Sequence, residues 1–163
     1  MLARKARRLL GVGLSITVAA TGITLWASGG RPDKAIDNAS LNPSVCMVTR
    51  SSDPLNAGLV TATWSALQEA AEKGMVNAQR IPVPSAATNT ALPYLNGAVS
   101  RNCRLLIAVG APLAPVLERA ARTPRQTRFV LVGAQATDSD IVSITGLTGQ
   151  QLTAKIGSLL PSG

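Results

Sequence analysis

Histidine is missing from this 163-residue chain, and with it go the commonest ways of running chemistry at neutral pH. No Ser-His-Asp triad, Cys-His pair or imidazole-bound zinc site can be assembled. Two cysteines cannot close a tetrahedral thiolate site by themselves. The aromatic residues are Trp26, Trp64, Tyr94 and Phe129, too few for the stacking platforms on which single-stranded nucleic acid is held. Carboxylates are scarce too, and Asp138 and Asp140 sit in a short polar stretch that reads as a turn. No constellation of acid, base and nucleophile is left, so the sequence points to a non-enzymatic protein with no cofactor and no metal.

What is plentiful is base. The formal charge is +8, but Arg4, Lys5, Arg7 and Arg8 crowd the first eight residues without an acid, while residues 31–163 hold 12 basic and 8 acidic side chains. A mild surplus spread over a domain is a solubility term, and no basic stripe is present, so nucleic acid is not an expected partner.

The basic start leads into residues 9–27, which carry no charge. As a helix this stretch would reach about 28 Å, close to the thickness of one hydrocarbon core. Base before the segment orients its start to the cytoplasm and the remainder of the chain to the outside. Val18-Ala19-Ala20 and Leu25-Trp26-Ala27 offer small residues at a cut site, so cleavage is the competing outcome. Residues 1–28 are therefore expected to be a signal peptide or a signal-anchor helix. Residues 29–43, rich in Gly, Pro, Asn and Asp, are expected to be a flexible tether. The protein should sit at the cell membrane as a single-pass chain with an extracytoplasmic domain, or be secreted if the leader is cut.

The remaining residues, 44–160, read as one α/β domain. Leu105 to Val109 and Phe129 to Val132 are unbroken apolar runs, each stopped by a glycine, as in strands covered on both faces of a parallel sheet. Between them Leu113, Val116, Leu117 and Ala120 keep the spacing of one helical stripe, and Thr123-Pro124 ends it. Val45 to Val48 is a first strand, followed by a helix with Pro54 at its first position and Ser52 or Asp53 as its cap. Leu55, Leu59, Ala62, Ala66, Leu67 and Ala70 form that helix's apolar side, and Gly74 its left-handed stop. Arg80 to Val83 is a weaker edge strand, marked by Pro82. Pro93 should open a short helix carrying Tyr94, Leu95, Ala98 and Val99. Ile141 to Ile144 is a fifth strand, and Gln150 to Leu160 a last helix. Alternating elements of this kind predict a doubly wound, parallel five-stranded sheet of order 2-1-3-4-5.

That order places the starts of the first and third strands side by side, which brings Cys46 near Cys103. Outside the membrane the pair can oxidise; two buried free thiols are the alternative. Ligands of open α/β sheets bind beyond the carboxyl ends of the strands. The candidate ligand-binding residues there are Thr49, Arg50, Ser51, Ser52 and Asp53, with Gly110 and Ala111 after the third strand and Gly133 after the fourth. Arg50 beside a helix start favours an anion by charge and by dipole, unless it is simply paired with Asp53. Gly110 lacks a GxGxxG pattern, so a tight strand-to-helix turn explains it better.

Three stretches, VCMVTRSSDPLNAGLVTATWSALQEAAEKG, RNCRLLIAVGAPLAPVLERAARTPRQTRFVLVGA and IVSITGLTGQQLTAKIGSLL, resemble in order and spacing the first lobe of the basic membrane protein (BMP) family of ABC-transporter solute-binding lipoproteins. Trp64 with Leu67, the asparagine-cysteine turn at Cys103, and Thr127 to Val130 carry most of it. The resemblance implies a single lobe of a type I periplasmic-binding fold and a small polar, nucleoside-like solute. It also implies an ABC permease or a second lobe as partner; the alternative is a membrane-anchored interaction module that has lost solute binding and uses the face where a second lobe would dock to form a homodimer or bind another envelope protein. The chain departs from that pattern where Arg50 stands in place of an aspartate, and where Leu59 and Val60 stand in place of an aromatic and an asparagine.

Overall fold

The computed structural model describes residues 42–122 and 126–161. The expected leader, nearly all of the expected tether and the Thr123-Pro124 helix stop lie outside the described residues. Among those described, no helix is long and apolar enough to cross a membrane.

The chain begins with β1 (Ser44–Arg50), then a single 3₁₀ turn (Pro54–Asn56) and α1 (Ala57–Glu72). β2 (Asn77–Val83), α2 (Thr88–Ser100) and β3 (Cys103–Val109) follow. A second 3₁₀ turn (Ala111–Leu113) leads into α3 (Ala114–Ala121), and β4 (Arg128–Val132), β5 (Ile141–Ile144) and α4 (Gly149–Leu159) close the domain. All strand pairs are parallel, in the order β2-β1-β3-β4-β5. The doubly wound α/β sheet read from the sequence is the one present.

The sheet is dry on both faces because alternate residues of each central strand point to opposite sides. Cys46, Val48, Leu106, Ala108 and Leu131 pack under α2 and α3, against Ala91, Leu95, Val116 and Leu117. Val45, Met47, Leu105, Ile107, Val130 and Val132 pack under α1 and α4, against Leu67, Ala70, Leu152 and Ile156. Each fully buried Val, Leu, Ile or Met among them contributes about 1.5–3 kcal/mol of transfer free energy before entropy is counted. Gly74 takes φ +68° just past the end of α1, as a left-handed helix stop requires.

Cys46 and Cys103 form a disulfide with Cα atoms 5.8 Å apart. The register is less simple than starts side by side. Ser44 opposes Cys103, Val45 opposes Leu105, and the irregularity between them leaves Arg104 without a counterpart. The bridge thus closes diagonally, from the third residue of β1 to the first of β3, where both sulfurs are buried. Nearby, Thr127 Oγ1 donates to the Cys103 carbonyl at 2.8 Å, which ties the asparagine-cysteine turn to the entry of β4.

Four local expectations are corrected. Pro93 lies inside α2, not at its start; the helix begins five residues earlier, and the carbonyl that loses its partner belongs to Asn89, which is exposed and can be satisfied by water. Neither Ser52 nor Asp53 caps the first helix: no side-chain cap bond is made, because the Asp53 carboxylate turns toward Arg50 and Asn56. Leu55 belongs to the 3₁₀ turn and is 91 % exposed, so it leaves the apolar stripe that Ala66, Leu67 and Ala70 continue. β2 starts at Asn77, three residues ahead of the expected Arg80, since pairing with β1 rather than hydrophobicity defines it.

Candidate functional site

β1, β3 and β4 all end at one edge of the sheet, and the chain leaves each in a different way. β1 runs into Ser51 to Asp53. Ser51 is pinned to the end of β2, its N–H donating to the Val83 carbonyl at 2.8 Å and its hydroxyl to the same oxygen at 3.1 Å. β3 and β4 end in Gly110 and Gly133, whose N–H groups continue the ladder to Val132 and Ile144 at 2.8 Å each. The two glycines then turn the chain with φ +101° and +88°, a region in which a side chain is strained.

Above these ends sits a polar cluster. Arg50 Nη2 lies 2.8 Å from Asp53 Oδ1, and Arg50 Nε donates to Asp53 Oδ2 at 3.2 Å. Asn56 Nδ2 donates to the same Oδ2 at 2.9 Å. The Asp53 side chain is only 2 % exposed, that of Arg50 28 %. The Arg50 hydrogen bond holds the Asp53 carboxyl below its ordinary pKa, outweighing burial, and the Asn56 amide adds to it. The same bond raises Arg50, so both groups are charged throughout the neutral range.

The candidate residues are therefore not equivalent. Arg50, Asp53 and Gly110 come together. Thr49 is wholly buried on the α1 face, its hydroxyl without a hydrogen-bond partner. Ser51 is tied down as described. Ser52 and Ala111 are exposed and touch nothing in the cluster that a bond records.

Asn56, which the sequence did not single out, and Leu59, expected on the apolar side of the first helix and where the resemblance has an aromatic, decide the shape of this edge. A Cβ on Gly110 would lie 2.8 Å from Asn56 Nδ2 and 3.2 Å from Asp53 Oδ2. One on Gly133 would lie 2.7 Å from Leu59 Cδ1. The start of α1 is thus seated directly on both glycines. A signal for Asn56 was present in Asp53-Pro54-Leu55-Asn56: Asp at the first and Pro at the second position of a tight turn bring the fourth residue back onto the first.

Beside the cluster lies an open hollow of about 700 Å³ between the starts of α1 and α4, lined by Leu55, Gly58, Leu59, Ala62, Thr148 and Gly149 among others. None of its lining side chains is charged. A more polar hollow of about 450 Å³, lined in part by Asn102, Arg104 and Gln126, opens at the opposite edge, where the strands begin and no glycine turn or helix start converges.

Chemically, the cluster offers a solute the Asn56 amide and a partly exposed Arg50 guanidinium, while the Asp53 carboxylate, 2 % exposed and already paired with both, holds them in place. That set suits hydroxyl-bearing solutes better than a lone anion, because the charge of Arg50 is already answered by Asp53.

No protein-family model matches the chain, and no curated protein matches it. Among solved structures it is similar to a fragment assigned as a lipoprotein of Peptoclostridium difficile 630, with a TM-score of 0.56 and 24 % identity over 64 % of this chain and 85 % of that one. It also aligns with the 5-methylthioribose transporter solute binding protein of Thermotoga lettingae TMO, solved with 5-methylthioribose. There the TM-score is 0.47 and the identity 14 %, over 63 % of this chain and 31 % of that one. The first likeness is one of fold.

Proposed function

We propose that residues 44–160 are an extracytoplasmic, non-enzymatic domain of solute-binding-protein type. In this reading it is the first lobe of a BMP-like protein and takes a small polar, nucleoside-like solute at the carboxyl edge of its sheet. The observation that carries the reading is the buried Asp53 carboxylate flanked by Arg50 and Asn56 at the strand ends. The resemblance places an aspartate at position 50 for this work; Asp53, three residues on, puts a carboxylate beside that position. The Cys46–Cys103 bridge and the charge-free run after a basic start support an oxidising location outside the membrane. An ABC permease is the partner that this function would require.

Isothermal titration against a panel of nucleosides, pentoses and inorganic phosphate tests it. Saturable binding of a hydroxyl-rich solute, weakened about tenfold or more by Arg50→Ala through loss of a charge-assisted hydrogen bond, is the expected result. Silence across the whole panel removes the solute.

A second reading, a protein-interaction module on the same scaffold that has lost solute capture, is favoured by one observation. Asn56 and Leu59 already rest on Gly110 and Gly133, occupying space over the strand ends that a solute would otherwise enter.

A further inference from the structure

Two arginines stand unanswered at the pole where the strands begin, opposite the candidate site. Arg104 is the second residue of β3 and Arg128 the first of β4. The ladder sets Leu105 opposite Arg128, so the two are on neighbouring strands within one residue of register. Both are exposed, and both line a cleft of about 170 Å³ whose apolar wall is Leu105, Leu159 and Pro161. Among the described residues the ion pairs are Arg50–Asp53 and Lys73–Glu69, so neither arginine of the cleft has an acid. Asp140, one residue ahead of the β5 position that faces Phe129, does not line the cleft.

The guanidiniums are positioned without being used up. Arg104 Nη1 donates to Gln126 Oε1 at 2.6 Å, which holds the group at the rim of the cleft and leaves its other N–H donors open. α4 brings its carbonyl end to the same place at Leu159, and a helix end of that sign attracts cations. Among the described residues, however, the hydrogen bond of this pair of arginines goes to Gln126 and not to α4. Arg104 and Gln126 also line the larger hollow of about 450 Å³, which runs on over Ser100, Asn102 and Thr127. Cleft and hollow therefore adjoin, cationic at one end and furnished with hydroxyl and amide groups at the other.

Two cations with no acid between them select a doubly charged anion. One guanidinium fork takes up both oxygens of a carboxylate, whereas a phosphate monoester carries three free oxygens and close to two charges at neutral pH, enough to meet both forks.

We propose that Arg104 and Arg128 together bind the phosphate group of a phosphate monoester, with its ester side toward the hollow at Asn102. A soluble ester and the headgroup of phosphatidic acid offer this same chemistry, and the second is at hand because the chain enters the domain at this pole, at Ser44, from the expected tether. The site lies at the other end of the sheet from Arg50, and it stands or falls without the solute reading.

Arginine-selective modification by phenylglyoxal, read residue by residue through peptide mass mapping of the full chain, tests the proposal. In neutral detergent micelles the chain is given inorganic phosphate or glycerol 3-phosphate, and in phosphatidylcholine vesicles it is given phosphatidic acid. Arg104 and Arg128 are expected to be protected together, with Arg119, exposed on α3, unchanged. Protection by the soluble ions marks a free ester as the source, and protection by phosphatidic acid alone marks a headgroup. Arg128→Gln is expected to weaken protection of Arg104 about tenfold, as loss of one charge-assisted hydrogen bond does, and Arg128→Lys, which keeps the charge and loses the fork, to fall between. Retention of the Cys46–Cys103 bridge checks that both variants are folded. Absence of protection by all three probes overturns the proposal. So does equal protection by chloride at the same ionic strength, equal protection by phosphatidylglycerol, which is a diester, or protection of Arg104 that Arg128→Gln leaves unchanged.

Discussion

Removing the disulfide is the sharpest test of the physical account. Cys46 and Cys103 close a loop of sequence separation 57. In the chain-entropy treatment a loop of that length costs the unfolded chain about 14 cal/mol/K, or about 4 kcal/mol at 25 °C. Both residues are 0–1 % exposed, and replacing them with alanine removes one small atom each, so the cavity adds on the order of 1 kcal/mol at most. For an ordered domain of about 120 residues, whose unfolding entropy is about 0.25 kcal/mol/K, 4 kcal/mol corresponds to a fall in Tm of about 16 °C. Urea unfolding of a chain beginning at Gly29, followed by circular dichroism, would compare wild type with Cys46→Ala/Cys103→Ala. The variant should also show a steeper dependence on urea, because its unfolded state is no longer held compact. A loss below about 1 kcal/mol would refute the loop-closure reasoning, and free thiols in exported protein would refute the oxidising location itself.

Two further outcomes arise from the glycines and one from the charges at the strand ends. Gly110→Ala combines a φ of +101° with a Cβ only 2.8 Å from Asn56 Nδ2, and should lower stability by about 2 kcal/mol or more. Gly97→Ala, inside α2 with nothing within 4 Å of the new methyl, should raise it by about 0.5–1 kcal/mol; the same urea curves read both. The Asp53 carboxyl is held below its ordinary value by the Arg50 hydrogen bond. Its contribution is therefore fully present above the unfolded carboxylate range, about pH 4, and is lost as pH falls through the lower folded value. Urea midpoints measured from pH 6 down to pH 2.5 should fall less steeply for Asp53→Asn than for wild type, and parallel slopes would count against the pair.

Much of the fold could be read because hydrophobic runs and glycines coincide. Leu105 to Val109 before Gly110, and Phe129 to Val132 before Gly133, announce buried parallel strands and their exits in the same few letters. β2 was only half visible, since Asn77, Ala78, Gln79 and Arg80 hold their place by backbone pairing to β1 and carry no pattern of their own. Pro93 misled for a reason of position: a proline near an exposed helix start costs little even when it is not the first residue. The candidate site was legible as an edge and not as a surface. That Arg50 and Asp53 would pair was one of two open readings. That Asn56 and Leu59 would settle on two glycines some fifty and seventy residues away could not be seen, because close approach across a sheet leaves no periodicity in the chain.

Parallel strands have a geometric consequence for how this domain can be attached to anything. Ser44 opens β1 at the edge where every strand begins. α4 returns to that same edge, its Leu159 and Pro161 lining a small cleft with Arg104 and Arg128 at the starts of β3 and β4. A bead, a fluorophore or a fused protein joined at either terminus of the domain is therefore delivered to one pole, and the Arg50–Asp53–Asn56 pole is left unobstructed for whatever approaches it from solution.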